Sequence, residues 1–376
     1  MTVAAVAYAR RDRHRPHAIP ALGLWTRGFF VAHVVPLPRY PARMRVMIMA
    51  AGLGTRLRPL TDHLPKPIAP VGNRPVVEYL LRRIAAAGCS GAVINLHHRP
   101  EAIMEVLGDG SAYGVPISYS IEPELLGTAG GTRKCQEALL ADDDVFLVTS
   151  GDGLHTIDLA ALAAAHRASG ALATLTVKRV EDVTGFGVVV TDATGRITSF
   201  QEKPAPADAL SDLVNVGVYC FSAEIFAEIP VEGASDFGSE ILPRLVAEGA
   251  NVRAWVTDAY WSDIGSLDEL VIANCAVAAG EIDVEASGDL IMGSDTRLVG
   301  VSQGANITGP VLVGPDARIE EGATIVGPAV IGARATICTG AHVEQALVLP
   351  EATITADSPR TGILGDPTLL DGVWSR

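Results

Sequence analysis

Residues 45–59 read Arg45-Val-Met-Ile-Met-Ala-Ala-Gly52-Leu-Gly54-Thr-Arg56-Leu-Arg-Pro59. Residues 46–51 are a short apolar run that stops at a glycine, which suits a strand buried on both faces of a parallel sheet. A Gly-rich turn follows. Such a turn at the end of a strand can aim several backbone N–H groups at a phosphate, and glycine at 52 and 54 leaves no side chain to block close approach. A lone Gly-x-Gly is more often only a tight turn, and the spacing here matches neither GxGxxG nor GxxxxGK[ST]. Two cations strengthen the phosphate reading: Arg56 inside the loop, and Lys66, ten residues on, fixed between Pro65 and Pro67. Taken singly, each reads equally as a solvated surface residue; together, on stiff backbone, they suit a polyphosphate.

Outward from this stretch, strand and helix signals alternate. Residues 76–87 place Val76, Tyr79, Leu80 and Ile84 at helical spacing and stop at Gly88, a C-terminal cap. Strands are expected at 92–96, 145–150, 173–179, 187–190, 197–202 and 216–221. Helices are expected at 101–107, 159–168, 241–248 and 267–279. Repeated βαβ units imply an α/β fold: a Rossmann-like, mostly parallel sheet with helices on both faces.

The last part has a different rhythm. Ile307, Val313, Ile319, Ile325, Ile331, Ile337, Val343 and Leu349 recur every six residues without a miss. A lane of small residues runs two positions earlier: Ala305, Val311, Ala317, Ala323, Ala329, Ala335 and Ala341. A period of six is neither helical nor alternating; it marks a short β-solenoid with the aliphatic lane stacked inside. A β-sandwich is the weaker alternative, because its turn spacing is looser. So few coils leave apolar surface at their ends, so packing on the first domain or on another subunit is expected.

The 376 residues hold 29 Lys plus Arg against 43 Asp plus Glu, for a net charge of −14. That balance argues against coating nucleic acid or an anionic membrane. Residues 1–43 are the exception, with seven arginines, one acid and five prolines. They lack the apolar core of a signal peptide and read as a disordered leader or as sequence upstream of a start at Met44. The five cysteines are widely spaced with no CxxC, which suggests reduced thiols in a cytoplasmic protein and neither a disulfide framework nor a zinc site. The division expected is 1–43 extension, 44–265 catalytic domain, 266–284 linker helix, 285–355 hexad solenoid and 356–376 tail.

Residues 52–61, Gly-Leu-Gly-Thr-Arg-Leu-Arg-Pro-Leu-Thr, followed by Leu64-Pro-Lys-Pro67, resemble the signature of sugar-1-phosphate nucleotidylyltransferases. Further segments extend the resemblance over roughly residues 44–350. They are Glu122 with Leu126-Gly127-Thr128-Ala129-Gly130, Ser150-Gly-Asp152, Phe186-Gly187-Val188, Phe200-Gln-Glu202-Lys203-Pro204, Asn215-Val-Gly217-Val-Tyr219 and Trp261-Ser-Asp263-Ile-Gly265. The resemblance implies a left-handed parallel β-helix for the tail. It implies nucleotide contacts from Ala51, Gly52, Gly54, Thr55, Glu122, Gly127 and Thr128, and catalytic roles for Arg56 and Lys66. It also implies sugar-phosphate contacts from Gly187, Glu202, Lys203 and Asn215, and Mg²⁺ held by Asp152 and Asp263. The residue chemistry agrees. A hard cation prefers one or two carboxylates plus phosphate oxygens and water, a carboxylate accepts from sugar hydroxyls, and an ammonium neutralises a phosphate monoester. Trp261 reads as core packing.

The implied partners are a nucleoside triphosphate and a sugar 1-phosphate, in a homo-oligomer. The wording of residues 54–61 leans toward mannose-1-phosphate guanylyltransferases, hence GTP. Uridylyl, adenylyl and thymidylyl transfer stay open, as does a cyclitol phosphate such as valienol 1-phosphate, because Ser150-Gly-Asp and Asn215-Val-Gly217 depart from the commoner sugar-region wording. A non-catalytic nucleotide-sugar-binding subunit would carry a damaged site, whereas Arg56, Lys66, Asp152, Lys203 and Asp263 are intact. An acyltransferase site in the solenoid would need a catalytic histidine; His342, the one histidine of the hexad region, reads as a solvent-facing corner residue.

Overall fold

The computed structural model describes residues 43–292, 300–371 and 373–374. The disordered leader expected before Met44 lies outside them, Arg43 excepted. Nine strands form one sheet: β1 (Arg45–Met49), β2 (Gly91–Leu96), β3 (Ile117–Ile121), β4 (Val145–Ser150), β5 (Ala173–Arg179), β6 (Val188–Thr191), β7 (Ile197–Gln201), β8 (Leu213–Ser222) and β9 (Val252–Val256). The order is β7-β6-β8-β4-β1-β2-β3, with β5 paired to both β8 and β9. The half built from β4, β1, β2 and β3 is parallel. β8 runs antiparallel to β4, β5 and β6.

Side chains on a strand alternate between faces, and here both faces are apolar. Val46 and Ile48 of β1 join one core, with Leu147 of β4 and Cys220 of β8; Met47, Phe146 and Phe221 join the other. Helices α1 (Val76–Ala86), α2 (Pro100–Leu107), α5 (Leu159–Ser169) and α7 (Leu267–Ala278) cover the first face, while α3 (Gly127–Lys134), α4 (Gln136–Leu139) and α6 (Leu242–Ala247) cover the second. Four of these elements escape the sequence pattern: β3, β9, α3 and α4. The reason is plainest for α3, whose Gly127, Gly130 and Gly131 give poor helix propensity. Close packing requires glycine there, because a Cβ on Gly131 would lie 2.6 Å from the Glu122 carboxylate.

The hexad region is a parallel β-helix, not a sandwich. Ile307 lies beside Ile325, and Ile325 beside Val343, so a regular coil takes eighteen residues in three sides. The lane from Ile307 to Leu349 is buried throughout. Its register slips by one near the end, where Ile331 faces Val348 rather than Leu349. The cause is a corner. Gly327-Pro328 turns the chain between Thr324–Val326 and Ala329–Ile331, but a single Gln345 with φ 44° turns it between His342–Glu344 and Ala346–Val348. His342 sits in that strand, half-buried, and not at a corner as expected.

Helix α7 joins the solenoid to the sheet domain. It packs on Pro310–Val313, Ala329–Ile331 and Ala346–Val348. At its centre the fully buried Asn274 accepts from the Gly72 N–H at 2.9 Å and donates to the Pro70 and Leu270 carbonyls at 3.0 and 2.9 Å. Asn73 Nδ2 donates to the Ile331 carbonyl at 3.1 Å. One apolar core therefore runs without a break from β1 through α7 into the solenoid. Among the described residues all five cysteines are free thiols and no helix is long and apolar enough to cross a membrane.

Among the described residues two histidines, His155 and His166, are buried. His166 bonds Thr174 Oγ1 at 2.8 Å and Ser222 Oγ at 3.0 Å, tying α5 to β5 and β8. Burial pushes the imidazoles of His155 and His166 down to about 4. Both are neutral in the folded protein at pH 7, and unfolding frees them to protonate near 6.5. Their contribution is therefore complete above pH 6.5 and is lost as pH falls toward 4. The denaturation midpoint is expected to drop across that window, and His166→Gln should flatten the drop, as read by urea titrations at pH 7, 6, 5 and 4.

Candidate functional site

The site lies at the carboxyl ends of β1 and β4, where open α/β sheets bind ligands. The two ends are held together by the Gly151 N–H, which donates to the Met49 carbonyl at 2.9 Å. The chain leaves β1 through Ala50-Ala51-Gly52-Leu53-Gly54 and makes three short turns, Thr55–Leu57, Leu60–Asp62 and Lys66–Ile68. Gly54 takes φ 63°, a conformation that favours glycine, and its carbonyl accepts from Thr61 Oγ1 at 2.9 Å. A Cβ on Gly52 would meet nothing within 4 Å, so the turn leaves open space there.

Lys66 is the centre of the arrangement. It is only 7% exposed, and its ammonium donates to Asp152 Oδ2 at 2.6 Å and to the Asp263 carbonyl at 2.9 Å. The second Asp152 oxygen takes the Ser150 hydroxyl. The Asp263 carboxylate lies beside Arg56. A Cβ built on Gly265 would lie 2.8 Å from Arg56 Nη1, 3.0 Å from Glu269 Oε2 and 3.2 Å from Asp263 Oδ2. Burial, joined by the charges of Glu269 and Asp152, pushes the Asp263 carboxyl above its ordinary range, although Lys66 and Arg56 pull it back. Between Asp263 and Gly265 sits Ile264, a buried β-branched residue at φ 45°. Such a residue in the left-handed region is strained and persists only where its surroundings enforce it.

A cavity of about 390 Å³ opens in front of these groups. Ala51, Gly52, Gly54, Thr55, Arg56, Lys66, Glu122, Gly127, Thr128 and Asp152 line it, ten of the residues singled out from the sequence. Asp263 is not in its wall and reaches it through Lys66 and Arg56. Glu122 is buried with both oxygens engaged: Oε1 accepts from Asn95 Nδ2 at 2.8 Å and Oε2 from the Leu126 N–H at 3.1 Å. Its carboxylate thereby shapes the loop before α3.

Gly187, Glu202, Lys203 and Asn215 form a neighbouring group outside that wall. The Asn215 N–H donates to the Gly187 carbonyl at 2.8 Å, and Glu202 Oε2 lies 3.2 Å from a Cβ built on Gly187. Lys203 Nζ is 3.4 Å from Glu202 Oε1 with its side chain 64% exposed. Trp261 packs edge-on against Phe186, with ring centroids 5.2 Å apart.

Two residues that the motifs do not flag belong to the site. Asn95 accepts from the Ala50 N–H at 2.8 Å while it holds Glu122; a polar residue inside the apolar run 91–96 was the available signal. Asp236 lines the cavity and accepts from Thr128 Oγ1 at 2.7 Å. Burial alone would raise its carboxyl, but hydrogen bonds from Thr128, Ser239 and Gly238 outweigh it and hold it below the usual range. A Cβ on Gly238 would lie 3.4 Å from both Asp236 Oδ1 and Glu202 Oε2, so Asp236 stands between the cavity and the Glu202 group.

The donor set suits a hard divalent ion. Asp152 and Asp263 offer oxygens, and the charge of Asp152 adds to the upward push on the Asp263 carboxyl that Lys66 and Arg56 oppose. Among the described residues no three His, Cys, Asp or Glu side chains converge on one point. An ion held here would take most of its ligands from phosphate and water.

Comparison with known proteins agrees with this geometry. Residues 45–280 match the nucleotidyl transferase family. The UTP–glucose-1-phosphate uridylyltransferase of Synechocystis is 39% identical over 73% of this chain and 80% of its own length. The mannose-1-phosphate guanylyltransferase of Mycobacterium tuberculosis is 35% identical over 73% of this chain and 76% of its own. A Bacillus anthracis chain crystallised with sucrose superposes with a TM-score of 0.56 at 22% identity, over 64% of this chain and 96% of that one. The chain belongs to the sugar-1-phosphate nucleotidylyltransferase branch of the nucleotidyl transferase family.

The Thr128 hydroxyl both donates to Asp236 and accepts from the Phe237 N–H at 2.8 Å. Thr128→Val removes the partner of Asp236 Oδ2 and of the Phe237 N–H and should lower stability by about 1–3 kcal/mol. Chemical denaturation reads that loss, while an unchanged midpoint would show that water replaces the hydroxyl.

Proposed function

We propose that this chain transfers a nucleotidyl group from a nucleoside triphosphate to a sugar 1-phosphate, releasing pyrophosphate. The observation that carries the reading is the convergence of Arg56, Lys66 and Asp152 on one cavity in front of the glycine turn, with Asp263 bonded to Lys66. An oxygen of the sugar phosphate attacks the α-phosphorus in line, the bond to the bridging oxygen breaks, and the electron pair leaves with pyrophosphate. The attacking phosphate is already ionised, so no general base is required. Catalysis falls to positioning and to stabilisation of charge.

The residues divide the work. Gly52 and Gly54 keep the turn open for the triphosphate, and Ala51, Thr55, Gly127 and Thr128 frame the nucleoside, with Glu122 fixing the loop beside it. Arg56 and Lys66 neutralise charge as pyrophosphate departs. Lys203 offsets the repulsion between the two phosphates, and Glu202, Asn215 and the Gly187 backbone hold the sugar. Asp152 and Asp263 would hold Mg²⁺, which supplies Lewis-acid charge neutralisation when bound.

For the substrates, the first assignment is GTP with mannose 1-phosphate, which follows the wording of residues 54–61 and the guanylyltransferase relatives. The second is UTP with glucose 1-phosphate, favoured by the 39% identity to the Synechocystis enzyme. A sugar-like cyclitol 1-phosphate fits the same phosphate apparatus. We assign the enzyme to the cytoplasm, as a homo-oligomer.

A panel of four triphosphates crossed with mannose, glucose and cyclitol 1-phosphates, read by pyrophosphate release, decides the pair; no release from any combination would sink the proposal. Asp152→Asn and Lys203→Ala should each lower turnover by orders of magnitude while the far-UV circular dichroism spectrum stays that of the parent. Near-parental rates in both would refute the assignment of these residues.

A further inference from the structure

The loop that carries Lys66 is gripped from behind by a segment far away in the sequence. After the last solenoid strand, Gly362–Leu364, the chain makes the turn Pro367–Leu370 and returns to the sheet domain. Leu370 and Val373 are buried in the main core, 1% and 6% exposed. Trp374 Nε1 donates to the carbonyl of Ile68 at 2.8 Å, the last residue of the turn that begins with Lys66. Asp371 Oδ2 lies 3.1 Å from His63 Nδ1, and its other oxygen 3.5 Å from Arg99 Nη2. Arg99 donates in turn to the carbonyl of Asp62 at 3.0 Å and to that of His63. Two parts of the loop, 62–63 and 68, are thus held by polar contacts with Arg99, Asp371 or Trp374, and Leu64 lines a small cavity together with Leu370, Val373 and Trp374. On its other side the loop presents the Lys66 ammonium to Asp152 and Asp263.

We propose that the residues from the solenoid's last strand to Asp371, with Val373 and Trp374, form a strap that positions Lys66, so that the docked solenoid end tunes the chemical step. The proposal rests on the transferase reading above. Lys66 works at a fixed place. The loop's own hydrogen bonds close single turns, as where the His63 N–H donates to the Leu60 carbonyl at 3.1 Å and the Ile68 N–H to the Pro65 carbonyl at 3.0 Å, and the strap's contacts tie those turns to the rest of the molecule. Small displacements of a positioned charge lower the rate steeply. Asp371 and Trp374 do not line the cavity, so they act through the loop and are positioning residues.

The experiment uses the full chain with Trp374→Phe, which removes the indole N–H but keeps a ring, Trp374→Ala and Asp371→Asn. Amide hydrogen exchange without substrate tests the strap itself. Exchange across residues 60–69 should accelerate at least tenfold in Trp374→Ala and Asp371→Asn, with β1 and β4 unchanged. Unchanged exchange in the loop overturns the proposal whatever the substrate proves to be. Pyrophosphate release tests the role. The strap variants should lose about tenfold in kcat with KM for the triphosphate within twofold, and Trp374→Phe should fall between Trp374→Ala and the parent. Combined with Lys66→Ala, the same substitutions should change the residual rate by less than twofold, because they act through Lys66. An equal fractional loss with and without Lys66 overturns the positioning role. If the parent releases no pyrophosphate from any pair, the transferase reading fails, and the exchange arm still decides whether the strap holds the loop.

Discussion

A nearly buried ammonium group is the pivot of this molecule. Lys66 joins three segments that are distant in sequence: its own Pro-Lys-Pro loop, Asp152 after β4, and the backbone carbonyl of Asp263. Taking such charges out of water costs several kcal/mol per ion, and the cost is offset only because the partners sit at hydrogen-bond distance. That requirement explains the surroundings. β1 and β4 must be adjacent and parallel for their loops to meet. Gly151 must pass close to β1, where a Cβ would lie 2.9 Å from Ile48. Ile264 must accept a left-handed backbone so that Asp263 can turn its carbonyl toward Lys66 and its carboxylate toward Arg56.

The same charges suit phosphate transfer. A site that moves one phosphate onto another has little covalent chemistry to perform and much repulsion to overcome. Cations on stiff backbone do this better than cations on flexible stems, since less reorganisation accompanies the reaction. The arrangement also separates two tasks in space. The cavity in front of the glycine turn is framed by α3 and the loop before it. Glu202 and Lys203 stand in a second group, connected to the first by Asp236.

Much of this was legible in the sequence. The apolar run ending in Gly52 marked β1, the six-residue lane marked the solenoid, and the motif residues brought ten members of the cavity wall together. What escaped did so for physical reasons. Helix α3 is rich in glycine because its backbone lies against Glu122 and Ser235, and that same glycine content erases the propensity signal. Asp236 looks like an ordinary N-cap, which it is, since it accepts from the Ser239 N–H; its second role depends on Thr128, 108 residues away. The slip of the hexad lane after Val343 was invisible because Leu349 keeps the six-residue spacing and is buried as well. Only the one-residue corner at Gln345 shows that Val348 has taken the place beside Ile331.

Helix α7 has a consequence for how such chains can be recombined. Its Asn274 and the neighbouring Asn73 satisfy backbone groups on both sides of the junction, and the apolar interior continues across it. The tail is thus not an appended module that evolution or an engineer could exchange at will. A chimera that brings in a foreign solenoid would have to import the matching surface of the helix as well, or leave amides stranded in a greasy seam.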